Sequence, residues 1–343
     1  MQRFTIKRQR MAGFTLLELM IAAAIGAFLI AGVFTVFSNG RYTQSLVETQ
    51  TQLIDDGRFA LRTLAYDIRH AGFWGGTTND KHMAGALGVP AFSSSFVDTQ
   101  PVMPVMAGDC EPGWYRDLDR SFFVSDNANP YTASGCIPNG DYRADTDVLV
   151  AKYAPATTIA ASDVAATVVY VYANQFQGQL FVGAPAPTWK QGQAGQSPSI
   201  YRLRTRAYFV NEFTDIVGDG RPALYRLDLA PGPLLSKTMM VPGVEDFQVQ
   251  LGVDTNNDGS VNMYVDANND EVGPRMQNVK SVQFWAMIRS EGDNELDVSK
   301  GESQSLSMAG RPAVVYNDGH RRVVISTVVR LQNRLHLTSG AGS

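Results

Sequence analysis

The sequence predicts an α+β fold, a long N-terminal α-helix packed on an antiparallel β-sheet domain, and three observations carry that expectation. From Phe14 to Phe37 run 24 residues without Lys, Arg, Asp or Pro. Beyond Tyr42 apolar residues recur at three-, four- and seven-residue steps, the stripe of an amphipathic helix. After Asp145 the pattern turns to short runs, rich in β-branched and aromatic residues, that alternate with polar ones as half-buried strands do. One long helix followed by a succession of short strands is the α+β order. At 343 residues, with 18% charged and 44% hydrophobic residues, the chain is long and apolar enough to bury a core. Its net charge of −4 gives no reason to expect a nucleic-acid partner.

The chain divides into segments 1–13, 14–37, 38–72, 73–145 and 146–343. The first carries Arg3, Lys7, Arg8 and Arg10 and no acid, a basic leader that stays cytoplasmic under the positive-inside rule. The 24 residues of the second make about 36 Å of helix against roughly 30 Å of hydrocarbon. They can span a bilayer, which puts everything after Arg41 on the far side. The exit, FSNGRYTQS, is polar and lacks the small-x-small cut of an ordinary signal peptide. Glu18 is the anomaly, because an ionisable group at membrane depth costs several kcal/mol and an ordinary anchor has no use for it.

In the third segment Leu46, Leu53, Ala60, Leu61, Leu64 and Ile68 form the apolar stripe, with Gln50, Asp56, Arg62 and Asp67 on the other side. Gly26, Gly32, Gly40 and Gly57 are the expected bending points, and HAGFWGG ends the helix. Residues 73–145, rich in Gly, Pro, Ser, Asn and Asp, read as loops over short strands. They hold both cysteines, Cys110 and Cys136. In an oxidising compartment a bridge between them closes a loop of about 25 residues, worth roughly 3 kcal/mol; two free thiols are the alternative.

The expected strands are DTDVLVAKY, AATVVYVYA, SIYRLRTRAYFV, ALYRLDLA, VEDFQVQLGV, VKSVQFWAMIRS and RRVVISTVVRLQNR. In the third of these Arg202, Arg204 and Arg206 alternate with apolar residues and read as its solvent face. One loop, DTNNDGSVNMYVDANNDEVG, spaces Asp254, Asn256 and Asp258 ahead of Gly259 as a calcium loop does. Val265 occupies the twelfth position, where an EF-hand needs an acid, so Asp266, Asn268 and Asp270 would have to complete a different Ca2+ cage. An Asx-rich hairpin turn uses the same residue types. Chemistry of other kinds finds no motif. The four histidines, His70, His82, His320 and His336, show no metal-ligand spacing, and neither a nucleophile elbow nor a phosphate loop occurs.

GFTLLELMIAAAIGAFLIAG resembles the class III signal of type IV pilins and of type II secretion pseudopilins. The resemblance implies that Gly13 ends the leader, that Phe14 becomes the mature, N-methylated terminus after a prepilin peptidase cuts between them, and that Glu18 takes the fifth mature position. Glu18 would then be an assembly determinant, since a carboxylate on one subunit neutralises the Phe14 amine of its neighbour in low dielectric. It also lies in the first turn, where the helix dipole favours a negative charge. The late segments VPGVEDFQVQLGVDTNNDG, NVKSVQFWAMIRS and RRVVISTVVRLQNR resemble PilW-type minor pilins. That resemblance implies a type IV pilin-like fold and a structural, non-enzymatic subunit of the tip complex that primes pilus assembly and helps display the tip adhesin. It implies as partners other minor pilins, the major pilin, the tip adhesin, the prepilin peptidase, the inner-membrane assembly platform and membrane lipid. The implied location is the bacterial inner membrane with the domain in the periplasm, then the pilus tip. J-type minor pseudopilins of type II secretion share the size and plan and stand as the alternative. A membrane-anchored periplasmic hydrolase would leave the leader and Glu18 without an explanation.

Overall fold

The structure is a computed structural model that describes residues 13, 15–88, 110, 113–188, 197–232, 234–292 and 301–333. It has the α+β architecture expected: one long N-terminal helix and a mostly antiparallel β domain. By its internal contacts the chain forms two compact units, residues 1–51 and 52–343.

Helix α1 spans Leu16–His70. Nothing in it interrupts the hydrogen-bond ladder, because it contains no proline. Its large apolar side chains from Leu16 to Phe37 are exposed, Phe28 to 84%. The most apolar 18-residue window has a mean hydropathy of 2.5, so the helix is long and apolar enough to cross a membrane. In the second unit the buried face is Leu53, Gly57, Ala60, Leu61, Leu64, Ala65, Asp67 and Ile68. The helix stops before Gly72, whose φ of +81° is costly for a residue with a Cβ and whose N–H donates to Lys152 O at 3.0 Å.

The strands of the described residues begin with β1 (Met83–Ala84), β2 (Phe122–Ser125), β3 (Val148–Tyr153), β4 (Thr158–Ile159), β5 (Val169–Ala173) and β6 (Gly178–Val182). Next come β7 (Ser199–Arg202), β8 (Arg204–Asn211), β9 (Ala223–Ala230), β10 (Leu234–Pro242) and β11 (Val244–Val253). The last are β12 (Met263–Val265), β13 (Val279–Arg289), β14 (Gln304–Leu306), β15 (Val314–Tyr316) and β16 (Arg322–Arg330). They form sheets of order β1-β6-β5-β7-β4, β10-β9-β8-β3-β2 and β12-β11-β13-β16, with β14 and β15 as a separate hairpin. Among these pairings only β1 with β6 is parallel.

The middle sheet is covered on both faces. Leu149, Ala151, Tyr208 and Val210 face a core shared with α1 and the third sheet, including Leu64, Ile68, Phe247 and Phe284. Val148, Val150, Ala207 and Phe209 face a second core with Trp74, Trp114, Val171 and Leu180. Two-sided burial explains why VLVAKY in β3 is buried throughout where a half-exposed strand would alternate.

Two expectations change here. Gly57 is a packing glycine rather than a bend: a Cβ there would lie 1.9 Å from Ile325 Cδ1 and 2.6 Å from Ile288 Cδ1. The run SIYRLRTRAYFV is two strands, not one, because it breaks at Leu203 and its halves join different sheets.

Candidate functional site

At its N-terminus α1 is closed by its own side chains. Thr15 precedes the first helical residue and Glu18 lies three positions on, the spacing of a capping box. Thr15 N donates to Glu18 Oε2 at 2.9 Å, the Thr15 hydroxyl to the same oxygen at 3.0 Å, and Glu18 N to Thr15 Oγ1 at 3.2 Å. Both residues are exposed. Glu18 thus satisfies orphan donors at the end of its own helix, a role its T-x-x-E spacing spells out. Gly13 is exposed with nothing within 4 Å of a built Cβ, and Phe14 lies outside the described residues.

Near the other end of α1, Asp67 corrects the reading of the amphipathic stripe. Expected on the polar face, it is fully buried. Tyr153 donates to its Oδ1 at 2.7 Å, Arg206 Nη1 to Oδ1 at 2.8 Å and Oδ2 at 3.1 Å, and the Tyr208 hydroxyl closes the set on Oδ2. Arg206 continues through Nε to Asp228 at 2.8 Å. Burial first, then the Asp67 charge, pushes the Tyr208 hydroxyl well above its ordinary pKa. Arg206, expected on a solvent face, is therefore half of a buried clamp between α1 and the middle sheet. The sequence held a signal: Asp67 stands seven residues after Ala60 and three after Leu64, on the spacing of the apolar stripe itself.

The third sheet has its own charged knot. Arg322 sends Nε to Glu245 Oε2 at 2.6 Å and Nη2 to Oε1 at 3.1 Å, and holds Asp318 at 2.7 and 2.6 Å through Nη1 and Nη2. Arg289 reaches Glu245 Oε1 at 3.2 Å. Arg322, chiefly through its hydrogen bonds, holds the Asp318 carboxyl well below the usual range. Glu245, Arg289 and Arg322 come from the V-E-D, I-R-S and R-R-V motifs, so the charged members of three separate sequence signatures form one cluster tying β11, β13 and β16. Asp147 ties β3 to β11 differently. Its two oxygens accept from Asn127 N at 2.9 Å and Val249 N at 2.6 Å, and burial pushes its carboxyl up to about 7.

Cys110 and Cys136 are joined in a disulfide, their Cα atoms 5.4 Å apart. In the Asx-rich loop Asp254 accepts from Gly259 N at 2.8 Å and Asp258 N at 3.2 Å, with Lys280 Nζ 3.7 Å away. Asn256 donates to Asp258 at 3.0 Å, and Asp258 accepts from Ser260 N at 2.7 Å. Asp266 accepts from Gln250 at 3.2 Å; Asn268 and Asp270 are exposed. These contacts build a turn. Among the described residues no group of three His, Cys, Asp or Glu side chains is gathered as a metal would require.

The geometry is that of a helix whose first half is apolar and exposed and whose second half is joined to a sheet through a buried carboxylate. Comparison with known families agrees with it. Residues 8–34 match the prokaryotic N-terminal methylation motif, and residues 207–333 match the family described as type IV pilus-assembly protein W. The chain carries a PilW domain behind a prepilin-type signal. The two matches support a type IV pilin-like protein of the minor-pilin kind. The PilW match begins inside β8 and runs through β16, so it holds the whole third sheet, the Glu245 knot and Arg206's close neighbours on β8 and β9. The methylation match holds Gly13, Thr15 and Glu18. No curated protein and no solved structure matches the chain.

Proposed function

We propose that the chain is anchored in the inner membrane by residues 14–37, with the residues after Arg41 in the periplasm, and enters a type IV pilus as a subunit of its tip-priming complex. One observation carries this reading: a methylation motif and a PilW domain occur on one chain, the motif running into a helix apolar and exposed over its first half. An exposed apolar helix needs lipid before assembly and neighbouring helices after it. Cleavage between Gly13 and Phe14 would create a cationic amine beside Glu18 of an adjacent subunit, and pairing the two charges offsets the cost of holding either in low dielectric. The subunit's work is mechanical. It would join sister minor pilins, the major pilin and the tip adhesin, after processing by the prepilin peptidase and delivery by the assembly platform.

The deciding experiment is N-terminal sequencing and mass measurement of the protein from its native membrane. A chain starting at N-methylated Phe14 is the expected result. An intact Met1, or a start beyond Ser38, would remove the pilin reading. Recovery with a tip adhesin rather than with pseudopilins of a secretion system would separate the pilus from its close relative. Gly13→Val should leave an unprocessed precursor.

A further inference from the structure

Sheet edges in natural proteins are blunted against stray pairing. Four of the edges of the three sheets are short: β1 and β4 have two residues each, β12 three and β2 four. The longer edge strand β10 carries Lys237, a register shift between Met239 and Val241, and Pro242. β16 has neither a proline nor a register shift, and its charges stand only at its two ends. Its nine-residue sequence, RVVISTVVR, is six β-branched residues and one serine between two arginines, paired without a register shift to β13.

The direction of its main-chain groups follows from the ladder. Ser290 N donates to Arg321 O and Leu331 N to Lys280 O, so odd-numbered residues bond inward to β13 and even-numbered ones point outward. At Arg322 the outward groups are taken by the Gln304 side chain, N–H to Oε1 at 2.7 Å and C=O from Nε2 at 3.2 Å. At Val324, Ser326, Val328 and Arg330 no partner occurs among the described residues, and the last three are exposed. Beside this edge lies an open groove of about 390 Å³ between α1 and Ser326–Thr327. Its α1 wall presents Arg58, Arg62 and Arg69, and no acidic residue lines it. Arg58 has an exposed contact with Asp55 at 3.8 Å; Arg62 and Arg69 have no ion pair among the described residues.

We propose that the outer edge of β16 is a docking strip for an extended acidic segment of another assembly subunit, added as a further strand with its acidic side chains turned to the arginines of α1. Main-chain bonds would supply affinity and the arginine row the choice of partner. The identity of the partner as a subunit rests on the function proposed above; the edge chemistry does not, and its test is independent of N-terminal processing.

The test uses the full-length chain in detergent micelles and two labelled synthetic peptides of about ten residues, one alternating Glu with Val and Thr, the other Lys with Val and Thr. Fluorescence anisotropy should show the acidic peptide binding roughly tenfold or more tighter than the basic one, with the preference inverted in the Arg58→Glu, Arg62→Glu double variant. Ser326→Pro removes one outward N–H and no β13 bond, so it should abolish binding while the circular dichroism spectrum is kept. Equal binding of the two peptides, no binding by either, or full binding by Ser326→Pro would overturn the proposal. So would self-association of the wild type that Ser326→Pro abolishes without any peptide binding, which would assign the edge to a second copy.

Discussion

Helix α1 holds two carboxylates in opposite circumstances. Glu18, in the first unit, is exposed, and its bonds go to Thr15 within a single turn. Asp67, in the second unit, is fully buried, and its bonds reach Tyr153, Arg206 and Tyr208, more than eighty residues away along the chain. The first satisfies itself and leaves its charge available to a newcomer. The second is used up by the fold. An acid on an apolar helix is therefore no single signal. What decides its role is whether its partners are local, and so present before assembly, or tertiary, and so spent on it.

The strongest way to break this contrast is to delete the buried acid. Asp67→Ala leaves the Arg206 charge without its α1 partner and the Tyr153 and Tyr208 hydroxyls without their acceptor, and should cost about 3–5 kcal/mol in urea unfolding of the full-length protein. Asp67→Asn, which keeps an acceptor, should lose about 1–3 kcal/mol. A loss below 1 kcal/mol for the alanine variant would show that the clamp is not what holds α1 to the sheet.

Glycines sharpen the same comparison. At Gly40 nothing lies within 4 Å of a built Cβ, so Gly40→Ala should gain up to about 1 kcal/mol of helix propensity. At Gly57 the isoleucine methyls of β13 and β16 fill that space, so Gly57→Leu should lose about 1–3 kcal/mol by overpacking. Equal outcomes at the two positions in thermal unfolding would mean that helix and sheet can separate without cost at Gly57.

Much of this is readable in the sequence, and the misses share a cause. The apolar stretch, the stripe from Leu53 to Ile68 and the late alternating strands depend on period alone, and the structure has them in order. The arginine row misleads because alternation gives the face of a strand but not what meets that face; here α1 meets it at Arg206 and supplies Asp67. Asp67 misleads because a polar letter outweighs a position on the apolar spacing. The Glu245 knot is half visible, its residues marking three motifs whose convergence only the pairing of β11, β13 and β16 reveals.

Asp147 is a third kind of carboxylate, buried like Asp67 but bonded by backbone N–H groups rather than by a cation. Its pKa, raised by burial to about 7, lies above the ordinary carboxylate value, so the folded state holds a proton that the unfolded chain has released. That contribution is complete below about pH 4 and is lost as pH rises through about 7. Lowering the pH from 8 to 5 should therefore stabilise the protein by on the order of 1–2 kcal/mol. Thermal unfolding across that range should show the slope, and Asp147→Asn should flatten it. A wild-type stability that falls steadily between pH 8 and 5 would mean that Asp147 is charged in the fold and held there by Asn127 and Val249.

The smallest effect on the subunit itself separates the two roles of Glu18. A glutamine at the third helical position still completes the capping box, so Glu18→Gln should leave helix stability nearly unchanged, whereas Glu18→Ala should lower it. The neutral side chain cannot balance a cationic amine. If Glu18 acts by charge between subunits, both variants should be cleaved normally and both should yield few filaments. If it acts only as a cap, Glu18→Gln should assemble like the wild type and only Glu18→Ala should fail. Counting filaments in the two strains, with the precursor and mature forms resolved on the same blot, reads both possibilities at once. A piliated Glu18→Gln strain would make the first unit's carboxylate as self-contained as the second's.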